Sequence, residues 1–307
     1  MVIPRIRPGW LLCLLAAWAF SGHVGAAIIN NNNVFQISEQ MQIKAQRLIA
    51  AQNKSVDESD APVFQDKLPN QVYAKALDAY AQIRQLMTLN NLTPIEDKQL
   101  PFQIFRPKDV YDLLEQADQG LNAILEAKSI STEAEFERPL GKSGADVYQS
   151  LWKLTNVLSV LAPPPDIGDT QKQFKLIEDE LKLLARAQNL KFTEPQKNQY
   201  SDKSVRDVML ALYQDYHLLG RLQRNLEVEP TSPEAIPSGA LTVLDAYDGA
   251  RSVLAEIHRM KAGLNIEQRS PAPSGEANAS LNSLYAQAKK IHDLLISLLS
   301  GMTPAGQ

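Results

Sequence analysis

His217, His258 and His292 are the only histidines beyond the first thirty residues. Imidazole can ligate a metal or move a proton near neutral pH. Helical bundles that hold two metals supply Glu-x-x-His pairs from two helices, and that spacing occurs nowhere in this chain. His258 and His292 instead flank apolar stripes, Leu254/Ile257 and Ile291/Leu295. That is the setting of a half-buried or surface histidine with a structural role. A metal-dependent or hydrolytic site would have to be assembled from scattered residues such as His217, His258 and Asp215.

Tyr73, Tyr111 and Tyr148 recur at one position after a shared valine. They could line an aromatic groove, but a tyrosine beside a buried valine more often closes the core edge with its hydroxyl wet. Glu178-Asp179-Glu180 are adjacent, and neighbours on a helix diverge by about 100°. With Lys175, Lys182 and Arg186 nearby they read as a solvated, ion-paired face. The chain has no glycine-rich phosphate loop, HExxH, C-x-x-C-H or G-x-S-x-G. No catalytic, cofactor-binding or metal-ligating residue is therefore assigned, and no cofactor is expected.

The N-terminus carries the most specific signal. Arg5 and Arg7 precede an apolar run, Trp10–Phe20, followed by small residues at Val24 and Ala26. This is the layout of a secretory signal peptide over residues 1–26. The run falls short of the ~20 apolar residues of a membrane span, and nothing after Ala27 is apolar for longer. Cys13 follows Leu12, whereas a lipoprotein signal places a small residue there. The expected location is the bacterial periplasm or the medium.

Cleavage would remove the only cysteine and two of the 31 basic residues, leaving 29 against 35 acidic ones, a net charge of −6. A cysteine-free chain in an oxidising compartment has no disulfides. An acidic chain without a basic stripe is ill suited to nucleic acid or to an anionic membrane surface. A small ligand or an envelope protein is the partner that remains.

The elements that would position any site are helices. After a polar start (27–34) read as flexible, eight are expected: near Phe35–Lys54, Asn70–Asn90, Lys108–Lys128, Ala145–Leu161, Thr170–Leu190, Ser204–Leu226, Ser238–Ala262 and Glu276–Ser300. Val110, Leu113, Leu114, Ala117, Leu121, Ile124 and Leu125 lie on one face of a 3.6-residue repeat, and Leu281, Leu284, Ala288, Ile291, Leu295 and Leu298 do likewise. Leu100–Phe105 is the best extended candidate, demoted by its proline.

Several helix starts resemble one another: Gln71-Val72-Tyr73, Asp109-Val110-Tyr111, Asp146-Val147-Tyr148 and Asp207-Val208-Met209. Across the Pro163–Pro165 break, Val72, Tyr80, Ile83 and Leu86 can be set against Val208, Tyr216, Leu219 and Leu222. Pro107, Leu114, Glu115 and Asp118 can be set against Pro237, Leu244, Asp245 and Asp248, and Ser143-Gly144 against Ser274-Gly275. The expectation is an all-α helical bundle of two related four-helix units, 35–162 and 168–301, with a flexible tail over 302–307. Connections such as Asn91–Arg106 are long for a bundle, long enough to run back along a helix and place successive helices parallel. The functional expectation is a non-enzymatic interaction or ligand-binding module of the envelope; the alternative is a metal-dependent or hydrolytic envelope enzyme.

Overall fold

A computed structural model describes residues 28–56, 63–233, 239–273 and 279–302. The expected signal peptide, tail residues 303–307, and the positions Pro237, Ser274 and Gly275 lie outside them. The described chain holds eight α-helices and no strand: α1 (Asn31–Ala51), α2 (Pro69–Leu89), α3 (Pro107–Ala127), α4 (Gly144–Ser159), α5 (Ile167–Ala187), α6 (Val205–Asn225), α7 (Val243–Gly263) and α8 (Leu281–Gly301). The all-α bundle expectation holds. No helix of the described residues is long and apolar enough to cross a membrane.

One local design recurs at every start. The third helical residue reaches back to the N–H of the cap residue: Asn33 to Asn30, Gln71 to Leu68, Asp109 to Arg106, Asp146 to Ser143, Asp169 to Asp166, Asp207 to Ser204, Asp245 to Thr242 and Ser283 to Ser280. This satisfies one donor that the helix cannot. The fourth residue is buried in all eight: Val34, Val72, Val110, Val147, Thr170, Val208, Ala246 and Leu284. Six helices end alike, with a left-handed residue (Asn53, Asn91, Ser129, Asn189, Glu227, Asn265) and a following N–H bonded five residues back, as in Leu92 to Met87.

The polar tract before Phe35 is not a loose start. α1 begins at Asn31, Asn30 caps it, and the Asn32 side chain accepts from the Lys142 N–H at 2.9 Å. Asparagine amides satisfy both the helix start and the passing chain, so the tract is ordered for a reason that its composition hides.

Within each half the helices all point the same way. In the first, the starts of α1 and α4 meet through Asn32 and Lys142, their middles through Gln42 and Ser150, and their ends through Lys54 and the Val160 carbonyl. Asn70 of α2 donates to the Gln103 carbonyl just before α3, and Gln82 of α2 to Ser159 of α4. In the second half, Ser283 meets Gln171 at the starts of α8 and α5, and Asn225 meets Met302 at the ends of α6 and α8. Each long connection therefore runs back along its bundle. Tyr80 and Arg84 of α2 hold one by the carbonyls of Glu96 and Ile95, while Leu100 and Phe105 are buried as extended chain of that return, not as a strand.

Helix starts fall at 31, 69 and 107, and again at 167, 205, 243 and 281, each 38 residues after the last. In each half the first and second helices both pack on the third and fourth. This geometry corrects one alignment made from the sequence. Leu114 is the eighth residue of α3 but Leu244 the second of α7, so the pairing of Pro107, Leu114, Glu115 and Asp118 with Pro237, Leu244, Asp245 and Asp248 is six residues out of register. The pairing of Val72 with Val208 is in register.

The buried apolar side chains form two clusters, one on α1–α4 and one on α5–α8, with Ala255 of α7 joining the first. The halves meet where α7 lies along α2. Leu244 and Tyr247, at the start of α7, share a cavity with Gln82 and Gln85 of the second half of α2. His258, near the end of α7, packs against Phe102, in the connection beside the start of α2. The two helices run in opposite senses, as the short link through Pro163–Pro165 requires.

Candidate functional site

Covered by α3 and α4 on one side and α7 on the other, α2 has every residue from Asn70 to Tyr80 buried. Its buried charges, Lys75 and Asp78, take their partners from α7. Lys75 Nζ donates to both carboxylate oxygens of Asp248, at 2.9 and 2.8 Å. Arg251 Nε donates to Asp78 Oδ1 at 3.0 Å, and its Nη2 to the Ala74 carbonyl at 3.3 Å. Burial pushes the Asp248 carboxyl up against the pull of Lys75. Burial also works against the Arg251 charge, but Asp78, Tyr247 and Asp248 together outweigh it and the pKa rises. The Tyr247 hydroxyl is pushed up by burial and by Asp78. Stripping either partner from such a pair leaves an uncompensated buried charge, which costs several kcal/mol.

A cavity of about 230 Å³ opens at this seam. Its walls come from α2 (Lys75, Asp78, Gln82), the end of α4 (Thr155, Ser159), Pro163–Pro165, the start of α5 (Asp166, Asp169) and the start of α7 (Leu244, Tyr247, Asp248). Asp78 Oδ2 and Gln82 Oε1, on two of these residues, are sealed from water and have no hydrogen-bond partner. Ser159, which donates to the Thr155 carbonyl, accepts the Gln82 N–H. Unpaired buried acceptors are costly. A larger cavity, about 490 Å³, lies between the α1–α2 and α6–α7 connections, lined among others by Val63, Leu68 and Pro230; none of its lining side chains carries a buried unpartnered polar atom.

The histidines do not converge. His217 is exposed on α6. His258 is buried on α7, edge-on to Phe102 at 4.4 Å between ring centroids. His292 on α8 meets Asp215 on α6 at 3.1 Å. Asp215 thus pairs with His292, not with the other members of the set that sequence singled out, and among the described residues no three His, Cys, Asp or Glu side chains are placed to hold a metal.

Nor do the tyrosines share a groove. Tyr73 stacks on Phe105 at 3.8 Å, Tyr148 stands edge-on to Phe64 at 4.8 Å, and Tyr111 is half-buried against the first core cluster. The acidic triplet is a correction. Glu178 and Glu180 are buried, not solvated. Glu178 bonds Lys182 and Gln287, and Glu180 holds the buried Lys261 together with the N–H and hydroxyl of Ser270. Packing against both α7 and α8 widens the buried face of α5 beyond a single stripe.

Sequence reasoning missed the seam. Its signal was Lys75-x-x-Asp78 and Asp248-x-x-Arg251, opposite charges three apart within apolar stretches, which read equally as surface pairs within one helix.

The fold is therefore all-α, two parallel four-helix sets laid in opposite senses, with a polar cavity at their junction. No protein-family model, curated protein or solved structure matches this chain.

Proposed function

We propose that the chain is an exported, non-enzymatic binding protein of the bacterial envelope, holding a small ligand at the seam between its two four-helix sets. The observation that carries this reading is the cavity of about 230 Å³ where the two sets meet, walled by residues of both, among them Gln82, Thr155, Asp169 and Tyr247. Ligand sites favour such junctions, where two separately packed units can shape a pocket that neither forms alone. Export rests on the basic start, apolar run and small residues of the first 26 positions. The equal spacing of helix starts and the shared neighbour scheme support descent of the two sets from one duplicated unit.

Native mass spectrometry of the protein extracted from the envelope tests the binding reading. A small molecule should accompany the intact chain and be lost from a Gln82→Trp variant, whose indole would fill the cavity. Wild-type protein extracted without any adduct would count against it. N-terminal sequencing of the same sample should begin near Ala27; a chain recovered from the cytosol with Met1 intact would contradict export.

A further inference from the structure

We infer that the end of the first set at which its four helices start rests on a phospholipid bilayer. This goes beyond the ligand reading and does not depend on it. The four starts form one end of the molecule. The Asn32 side chain of α1 accepts from the Lys142 N–H before α4, and Asn70 of α2 donates to the Gln103 carbonyl before α3. Gly144, at the start of α4, lies so close to the Lys67 carbonyl before α2 that a Cβ would stand 2.7 Å from it. Three large aliphatic side chains stand in water at this end. Ile28, Ile104 and Leu140 lie three, three and four residues before the starts of α1, α3 and α4, and are 87%, 69% and 87% exposed.

The chain reaches this end from a membrane-seeking segment. Seven residues separate Phe20, the last of the apolar run, from Ile28, a reach of at most about 28 Å. While that run lies in a bilayer, this end is held beside it, and the processed chain would open with Ala27-Ile28-Ile29. The local charge permits the contact. Lys108 is paired with Asp112; of the rest, Lys67, Arg106, Arg138 and Lys142 balance Asp66, Asp109, Glu137 and Asp146. Cleavage after Ala26 adds an α-amino charge one residue before Ile28 and tips the end positive. The acidic excess that tells against an anionic bilayer thus lies elsewhere on the molecule. Aliphatic tips on three separate approaches offer a protein partner no continuous apolar patch. A bilayer accepts them without shape matching, by the apolar area they bury at the boundary of headgroup and acyl chain.

Flotation of the full processed chain with liposomes of phosphatidylethanolamine and a minor share of phosphatidylglycerol provides the test. Wild-type protein should float with the liposomes. Leu140→Ser and Ile104→Ser should each weaken partitioning about fivefold or more, as expected when one aliphatic side chain no longer leaves water. Neither should change the Tm without liposomes, because both side chains are exposed in the free protein, so a loss of binding would not be a folding defect. Leu89→Ser is the control: Leu89 is 56% exposed at the far end of α2, and its replacement should leave partitioning unchanged. Wild-type protein that stays in solution beside the liposomes would overturn the inference. Flotation kept in full by Leu140→Ser and Ile104→Ser, or lost as fully in Leu89→Ser, would place the contact elsewhere and overturn it too. None of these outcomes bears on the ligand at the seam, which mass spectrometry of the extracted protein reads separately.

Discussion

Asp215 of α6 and His292 of α8 face one another across the second core, Oδ1 to Nδ1 at 3.1 Å, while the other Asp215 oxygen has no partner. Burial pushes the Asp215 carboxyl up to about 7, against the pull of His292. The folded chain therefore holds this proton more tightly than the unfolded chain, whose aspartates titrate near 3.9. The stabilising contribution is complete below about pH 4 and is lost as pH rises through about 7. Asp215→Asn, neutral at every pH, should remove that slope. Its Tm relative to wild type is expected to be higher at pH 8 than at pH 5, by the equivalent of a few kcal/mol. Equal Tm differences at the two pH values would show that the carboxyl titrates normally.

His258 works in the opposite direction. Burial, with the charges of Arg269 and Lys261, lowers its pKa to about 2. Below about 6.5 the unfolded chain gains a proton that the folded chain refuses, so stability falls as the solution is acidified. His258→Gln, which does not titrate, should flatten the Tm profile between pH 6.5 and 4. The predicted gain is about 1.4 kcal/mol for each pH unit below 6.5. An acid limb as steep as that of wild type would place His258 in contact with water.

Val110 and Asp109 separate packing from capping. Val110 is 2% exposed in the first core, whereas Asp109, half-buried, accepts a solvent-exposed hydrogen bond from the Arg106 N–H at 2.7 Å. Val110→Asp forfeits the ~1.5–3 kcal/mol of a buried valine and adds an unpaired charge. Asp109→Asn keeps an acceptor and should cost under about 1 kcal/mol. Thermal melts that ranked the two in the reverse order would make this helix start a polar functional motif.

Gly220 and Gly263 make a matched pair. A Cβ on Gly220 would sit 2.5 Å from the Thr231 carbonyl oxygen, in the connection that Gln223 holds by the Thr231 N–H at 2.8 Å and hydroxyl at 2.9 Å. Around Gly263, at the end of α7, a Cβ meets nothing within 4 Å. Gly220→Ala should cost about 1–3 kcal/mol by displacing the return connection. Gly263→Ala should be neutral or gain up to ~1 kcal/mol. Denaturant midpoints would decide, and equal midpoints would mean that the connection is not packed as described.

The helices were legible because their apolar stripes are local. Leu113, Leu121 and Leu125 announce a buried face whatever lies opposite. The starts were legible too, since Asp109-Val110 and Asp146-Val147 repeat a cap and a core residue. Helix direction was not. The 17 residues from Asn90 to Arg106 permit a return run as readily as a wandering loop, and only the carbonyls held by Tyr80 and Arg84 decide. The seam stayed hidden for a related reason. Lys75 and Asp248 stand 173 residues apart, and neither position betrays that water is absent around it. Glu180 misled in the same way: its charge suggested solvent, while its actual partners, Lys261 and Ser270, lie on a helix and a connection that fold back from far along the chain.

In an up-and-down bundle the macrodipoles of neighbouring helices cancel. Here all four in each set point one way, so their fields add. At roughly half a positive charge per helix start, each set gathers about two positive charges at one end and as much negative charge at the other. The opposite senses of the two sets place these poles head to tail, so the molecule as a whole is closer to a quadrupole than to a dipole. Asp109, Asp146, Asp169, Asp207 and Asp245 sit at the positive poles, in five of the eight first turns. Part of the acidic excess of this chain thus stands where the backbone field calls for it. Acid strong enough to protonate those five carboxylates would unbalance both ends of the molecule together.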